Sequence, residues 1–139
     1  MAKVKDFMTK GVLTVDSRKT VAEAADLMRF KQVGSLVVTR AEIPEGIVTE
    51  RDFVRRVVAK RIPLDTKISD VMTTPLVTIE PDASLNEAAR KMIYNRIRRL
   101  PVLKGNKLIG MIVVSDFARH ISKKTLTEKV LDALLHPSI

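Results

Sequence analysis

The feature that most constrains this chain is an internal repeat. Shifted by 64 residues, the sequence aligns with itself without a gap. Residues 4–60 and 68–124 are identical at 15 of 57 positions, whereas unrelated sequences of ordinary composition would share about 3 or 4. Three motif pairs recur in order: VKDFMTKGVLTV with ISDVMTTPLVTI, TVAEAADLM with SLNEAARKM, and GIVTERDFVRR with GMIVVSDFARH. The fold must therefore be built from two copies of one unit.

Each copy predicts the order β-α-β-β-α, which makes the chain an α/β protein with two repeats packed as a pseudo-two-fold pair. A short strand is predicted over residues 12–15 and again over residues 76–79. A helix follows in each copy, because apolar residues recur there at i, i+3, i+4 and i+7. Two further apolar runs in each copy predict paired strands joined by a turn.

Helix starts are marked by capping boxes, in which a hydroxyl is followed three residues later by an acid. Such pairs occur at Thr20 and Glu23, at Ser84 and Glu87, and again at Thr125. The second helix of each copy is predicted to bury several apolar side chains. These are Phe53, Val54 and Val57 in the first copy, and Phe117 and Ile121 in the second. We predict one repeat in residues 1–64, one in 65–124 and a C-terminal helix within 125–139, with a short linker at 61–67.

Composition excludes several classes of function. There is no cysteine, so disulfides and thiolate chemistry are excluded. The two histidines, His120 and His136, lie 16 positions apart and show no metal-ligand spacing. No apolar run approaches the ~20 residues that span a bilayer, and MAKVKDFM lacks the apolar core of a signal peptide. We expect a cytoplasmic protein without a metal, and the scarcity of Asn and Gln favours a thermophilic source.

The net charge of +9 favours an anionic partner without choosing which one. The basic residues are spread along the chain, and only five residues are aromatic, with no Trp. A platform for base stacking is therefore hard to build. The basic run at Arg55, Arg56, Lys60 and Arg61 is interpreted as a solvated helix face in preference to a nucleic-acid patch.

The stretch GIVTERD (residues 46–52) changes abruptly from apolar to polar, and two interpretations compete for it. Thr49 suits a helix N-cap, with Asp52 in the first turn. In the second copy the acid returns as Asp116, but Val113 replaces the hydroxyl. We infer that an acid retained without its cap binds a ligand. A carboxylate at such a corner can accept two hydrogen bonds from a ribose diol, and Thr49 and the free helix N–H groups suit phosphate.

The repeated unit DVMT…VTI…LNEAARKM…IRRLPV…G…D resembles the cystathionine β-synthase (CBS) domain. The resemblance covers nearly the whole chain, from Val4 to about Ile121, in two copies. Such pairs form Bateman modules, which are regulatory, are not enzymes, and bind adenine nucleotides or S-adenosylmethionine in clefts between the copies. The resemblance implies a stand-alone sensor for AMP, ADP, ATP or S-adenosylmethionine that needs no cofactor, forms a homodimer through its helices and regulates an unknown protein in trans, with no membrane partner.

The resemblance also implies two sets of ligand-binding residues. Cleft one would consist of Thr49, Arg51 and Asp52 together with Met72, Val77, Arg98 and Arg99. Cleft two would consist of Val113, Ser115 and Asp116 together with Met8, Leu13, Gly34 and Ser35. Cleft one would bind phosphate more tightly, because cleft two has neither the hydroxyl nor the arginine pair.

Two other functions stay open on the sequence. One is a nucleic-acid-binding protein that uses the basic surface, for which a steep salt dependence of binding would be evidence. The other is a structural adaptor whose clefts bind no ligand. No Ser–His or Lys–acid arrangement indicates an activated nucleophile.

Overall fold

The computed structural model describes residues 2–121 and 134–135. Its mixed α/β composition confirms the predicted fold class, with helices and small sheets in each half. The described chain forms two compact units. The first unit is Val12–Leu76, and the second unit combines the described residues of Met1–Gly11 and Val77–Ile139. The chain therefore starts in the second unit, forms the first, and returns.

The elements of the first unit are β1 Thr14–Asp16, α1 Val21–Lys31, β2 Ser35–Arg40, β3 Ile43–Thr49 and α2 Glu50–Asp52. The first strand therefore starts later than predicted. The three strands form a sheet in the order β1-β2-β3, with β1 parallel and β3 antiparallel to the central strand. A π-helix, Phe53–Val58, continues directly from helix α2, and a 3₁₀ turn, Ile68–Asp70, follows.

The second unit repeats this arrangement with one strand fewer. Its elements are the 3₁₀ turn Val4–Asp6, α3 Leu85–Asn95, the antiparallel strands β4 Arg99–Lys104 and β5 Lys107–Val113, and α4 Asp116–Ile121. The strand predicted over 76–79 is wrong, since only Ile79 forms a parallel bridge, to Val102. In the first unit the Val37 amide bonds the Leu13 carbonyl at 3.2 Å. The aligned residue of the second copy is Pro101, which has no amide proton to donate.

Helix α1 begins with a complete capping box, as predicted. The Glu23 amide bonds the Thr20 hydroxyl at 3.1 Å, and the Thr20 amide bonds the Glu23 carboxylate at 2.9 Å. At the start of α3 the Glu87 amide bonds the Ser84 hydroxyl at 3.0 Å. The linker also caps the start of α1, which the sequence did not indicate. The Thr66 carbonyl accepts the Val21 amide at 2.8 Å.

Each core contains side chains from the start of the other repeat. Val4 lies in the core of the second unit and Ile68 in the core of the first, and both are fully buried. Burial of a side chain of this size contributes about 1.5–3 kcal/mol. The compact units and the sequence repeats are therefore different divisions of the chain. The predicted repeat boundaries stay a prediction, and nearly all of the predicted C-terminal helix lies outside the described residues.

The second helices bury fewer side chains than predicted. Phe117 is fully buried and Val57 nearly so, whereas Phe53 is half-buried and Val54 is 60% exposed. The prediction for Val54 is wrong because the π-helix has more residues per turn than the α-helical spacing assumed. Ile121 ends α4, and its side chain lies outside the described part. Within the described residues, no helix combines the length and apolar character needed to cross a bilayer.

Candidate functional site

The corner between β3 and α2 is a complete capping box. The Asp52 amide bonds the Thr49 hydroxyl at 3.3 Å, and the Thr49 amide bonds Oδ2 of Asp52 at 2.9 Å. The Thr49 hydroxyl also lies 3.3 Å from the same carboxylate oxygen. The side chain of Asp52 is 12% exposed. The capping interpretation of this corner is therefore confirmed, and Thr49 uses its hydroxyl within the chain.

The corner between β5 and α4 keeps half of this arrangement. The Val113 amide bonds Oδ2 of Asp116 at 2.7 Å. The premise that the cap is lost together with the hydroxyl is therefore wrong, and the inferred binding role of the acid stays a prediction. The acid reaches a main-chain amide, which every residue except proline supplies, so the bond does not need a hydroxyl at position 113. Recurrence of the acid alone does not separate capping from binding.

The second carboxylate oxygen faces different partners in the two units. Oδ1 of Asp52 accepts the Thr73 hydroxyl at 3.2 Å and lies 3.8 Å from Nε of Arg56. Oδ1 of Asp116 accepts Nη2 of Arg119 at 3.1 Å. A carboxylate oxygen accepts more than one hydrogen bond, so Oδ1 retains capacity for a further donor in both corners.

Burial raises the pKa of Asp116 above its ordinary value. The hydrogen bond from the Val113 amide and the positive charge of Arg119 both oppose this shift, but burial is the larger effect. The carboxyl is nearly inaccessible, with 9% of the side chain exposed. A ligand that donates hydrogen bonds to this carboxylate would therefore compensate for the hydration that burial removes.

A segment crosses each corner at close range, and this explains the repeated glycines. Thr73 bridges Ile47 in the first unit, and Thr9 bridges Met111 in the second. A Cβ atom at Gly46 would lie 2.8 Å from Sδ of Met72 and 2.8 Å from the Thr73 carbonyl oxygen. At Gly110 it would lie 2.5 Å from Sδ of Met8. Both methionines are half-buried beside their glycine.

The predicted residues at the starts of β2 and β4 lie at the corners of their own units. Ser35 pairs with Thr49, and the Gly34 carbonyl accepts the Glu50 amide at 3.1 Å. Likewise Arg99 pairs with Val113, and the Arg98 carbonyl accepts the Val114 amide at 3.0 Å.

The predicted cleft sets combine residues of both units. The sequence assigned Gly34 and Ser35 to the Asp116 corner, and Arg98 and Arg99 to the Asp52 corner. These cross-unit assignments stay predictions.

The remaining predicted residues have simpler surroundings. Leu13 and Val77 pack against the cores of the first and second unit respectively. Arg51 and Ser115 are exposed at the first turns of the two corners. Across the described residues, no three His, Cys, Asp or Glu side chains come together as a metal-binding group.

Comparison with known proteins identifies the family. The CBS-domain model matches residues 4–59 and again residues 68–123. The chain belongs to the CBS-domain family. It is 35% identical to the CBS domain-containing protein YhcV of Bacillus subtilis over 139 residues, which covers 100% of this chain and 99% of that protein.

Solved structures of similar proteins agree in fold. An uncharacterized conserved protein from Pyrococcus horikoshii superposes with a TM-score of 0.79 at 34% identity, covering 91% of this chain and 96% of its own. A hexameric CBS-CP12 protein from bloom-forming cyanobacteria superposes with a TM-score of 0.81 at 33% identity, covering 92% of this chain and 78% of its own. Self-association is thus found among its relatives.

Sequence reasoning missed three residues that contact the acids: Thr73, Arg56 and Arg119. Arg55 and Arg119 are identical across the repeat, which is a signal for an arginine at this place. In the first unit, however, Arg56 contacts the acid. The π-helix shifts the contact by one residue, and an ungapped alignment of the repeats does not show such a shift.

Proposed function

We propose that this chain is a non-catalytic regulatory module that binds an adenine nucleotide, AMP, ADP or ATP, at its two acid corners. These are the β3–α2 corner with Asp52 and the β5–α4 corner with Asp116. The observation that carries the proposal is that each nearly buried carboxylate has one oxygen held by a main-chain amide, while its Oδ1 retains capacity for a further donor. Membership of the CBS-domain family supports it. Nucleotide binding would favour one conformation over another, and a partner protein would respond to that population shift.

The corner chemistry suits a ribose. One carboxylate oxygen of Asp52 is held by the Thr49 amide, so the carboxylate is oriented before a ligand arrives. The other oxygen already accepts the Thr73 hydroxyl and can accept one further hydrogen bond from a ribose hydroxyl. Phosphate would be bound by the exposed guanidinium of Arg51 and by Arg98 or Arg99, since arginine forms strong charge-assisted contacts with phosphate. The net charge of +9 favours an anionic nucleotide over the cationic S-adenosylmethionine.

The test separates capping from ligand binding. Asp52→Asn can still accept the Thr49 amide but replaces a charged acceptor by a neutral amide. Loss of a hydrogen bond to a charged group corresponds to about 10- to 150-fold in Kd for AMP, measured by calorimetry. Glu50→Ala is the matched control, because it removes an exposed acid from the same helix turn. Unchanged affinity in a folded Asp52→Asn protein would restrict Asp52 to a structural role.

The assignment of the arginines needs its own experiment. If Arg99 serves the ligand at Asp52, Arg99→Ala should weaken AMP binding in an Asp116→Asn background, where only the Asp52 corner is intact. If it serves the corner of its own unit, it should weaken binding in the Asp52→Asn background instead. Loss of one charge-assisted contact corresponds to about tenfold in Kd. The first result would support a tighter cleft one, and the second would overturn it.

We also propose that the chain forms a homodimer through its helices. Apolar side chains on three helices face solvent: Phe30 is 76% exposed, Val58 68%, Val54 60% and Tyr94 88%. A closed two-fold pair is the commonest way to bury such surfaces. The protein should sediment as a dimer of twice 15.6 kDa. Val54→Glu should shift it towards monomer, and a wild-type monomer at micromolar concentration would refute the proposal.

A further inference from the structure

The chain passes between its two units at two places, and both places closely follow a segment that crosses an acid corner. The unit boundaries lie at Gly11 and Val12 and at Leu76 and Val77. We call residues 7–9 and residues 71–73 the connecting segments. They lie two to five residues before these boundaries.

One arginine holds each connecting segment to the acid of its corner. Nη1 of Arg56 donates to the carbonyls of Val71 at 3.2 Å and Met72 at 2.9 Å, while its Nε lies 3.8 Å from Asp52. Arg119 donates to the Phe7 carbonyl and to Asp116, and its guanidinium lies 5.6 Å from the centre of the Phe7 ring. Val71 and Phe7 are aligned in the repeat, so the contact is the same in both units.

The arginines themselves are not aligned. The repeat places Arg119 opposite Arg55, whereas the contact in the first unit is made by Arg56. The π-helix Phe53–Val58 accounts for the difference, since its Ala59 amide bonds the Val54 carbonyl five residues earlier at 2.9 Å. A π-turn contains one more residue than an α-turn, which moves the next arginine into this place. The same contact from non-aligned positions indicates that its geometry matters more than the sequence position.

We propose that Arg56 and Arg119 are positioning residues that couple the ligand state of each acid corner to its connecting segment. The inference rests on the proposed function for its ligand-dependent part. A ribose that donates to Oδ1 of Asp52 shares that oxygen with the Thr73 hydroxyl and faces Arg56. Ligand binding at Asp52 would therefore change the contacts of Arg56, which also holds Val71 and Met72.

The test follows amide hydrogen exchange in the connecting segment. The Thr73 amide bonds the Ile47 carbonyl at 2.8 Å, and the Ile47 amide bonds the Thr73 carbonyl at 3.1 Å, so both amides report on this segment. Without nucleotide, Arg56→Ala should speed their exchange by about three- to tenfold. This is below the range of about 10- to 150-fold for charged hydrogen bonds, because the side chain is partly exposed. Arg55→Ala is the matched control and should match the wild type.

Saturating AMP then separates coupling from simple structural support. In the wild type AMP should change the exchange of both amides at least about twofold. In Arg56→Ala, AMP should still bind by calorimetry, yet less than half of that change should remain. Arg119→Ala should act likewise on the amides of Thr9 and Met111, which bridge in the second unit.

Two results would overturn the inference: exchange in Arg56→Ala that equals the wild type, or an AMP response that persists in full. If the wild type binds no AMP, the proposed function and the ligand-dependent coupling both fail. The comparison without nucleotide then decides by itself whether Arg56 holds the segment.

Discussion

The close crossing at Gly46 predicts a specific response to adding one methyl group. In Gly46→Ala, the new Cβ would lie 2.8 Å from the Met72 sulfur and 2.8 Å from the Thr73 carbonyl oxygen. The sulfur can move, but the backbone oxygen cannot move without breaking the bridge to Ile47. Overpacking of this kind costs about 1–3 kcal/mol. The melting temperature should fall by about 3–10 °C.

A second glycine provides an internal comparison. In Gly110→Ala the nearest atoms would be Sδ of Met8 at 2.5 Å and Cγ of Met8 at 2.9 Å, while the Thr9 carbonyl oxygen lies at 3.0 Å. A flexible side chain dominates this clash. In double-mutant cycles, the coupling between Gly110→Ala and Met8→Ala should therefore exceed the coupling between Gly46→Ala and Met72→Ala.

Urea unfolding of the four single and two double variants measures these quantities, and Gly105→Ala is the control. Gly105 has φ +64° and nothing within 4 Å of an added Cβ, so its substitution adds backbone strain without a clash. The reasoning is refuted if Gly46→Ala loses less than about 0.5 kcal/mol, the range of ordinary surface substitutions. It is also refuted if Met72→Ala rescues Gly46→Ala as well as Met8→Ala rescues Gly110→Ala.

Two further predictions concern stability. Ala41 has φ 50°, in the left-handed region, where the second hairpin has Gly105, so Ala41→Gly should raise the free energy of unfolding by up to about 1 kcal/mol in urea. Burial raises the pKa of Asp116, so the unfolded chain releases this proton at lower pH than the folded one. Wild-type stability should therefore fall relative to Asp116→Asn as the pH rises from about 4. A pH series of urea unfolding would contradict this if the difference stayed constant or reversed.

The repeat made much of the fold predictable, because each element could be read twice. The capping box at Thr20 and the paired strands follow from local side-chain chemistry. The strand over 76–79 could not be excluded by its own residues, which are suitably apolar. Its failure depends on Pro101, some 25 positions away, whose missing amide matters only once the strands are placed side by side.

The sequence also did not show that the first residues of each repeat pack in the core of the other unit. Val4 and Ile68 look like ordinary apolar residues at the start of each repeat. The residues next to them do not indicate which of the two cores buries them. Carbonyl groups next to these residues accept the first amide of the other copy's helix: Ala2 accepts from Leu85 at 3.2 Å, and Thr66 accepts from Val21 at 2.8 Å. Main-chain bonds of this kind are independent of side-chain identity, so a pattern of residue types does not reveal them.

Capping and ligand binding at the acid corner are not alternatives, although the sequence made them look so. A carboxylate has two oxygens, and the Thr49 amide bonds only one of those of Asp52. That bond fixes the orientation of the side chain and leaves Oδ1 directed towards Thr73 and Arg56. A group already held in place loses less conformational freedom when a ligand binds. The same argument applies to Asp116, whose bond to the Val113 amide persists without a hydroxyl. The cap therefore orients the acid and leaves one of its oxygens able to accept from a further donor.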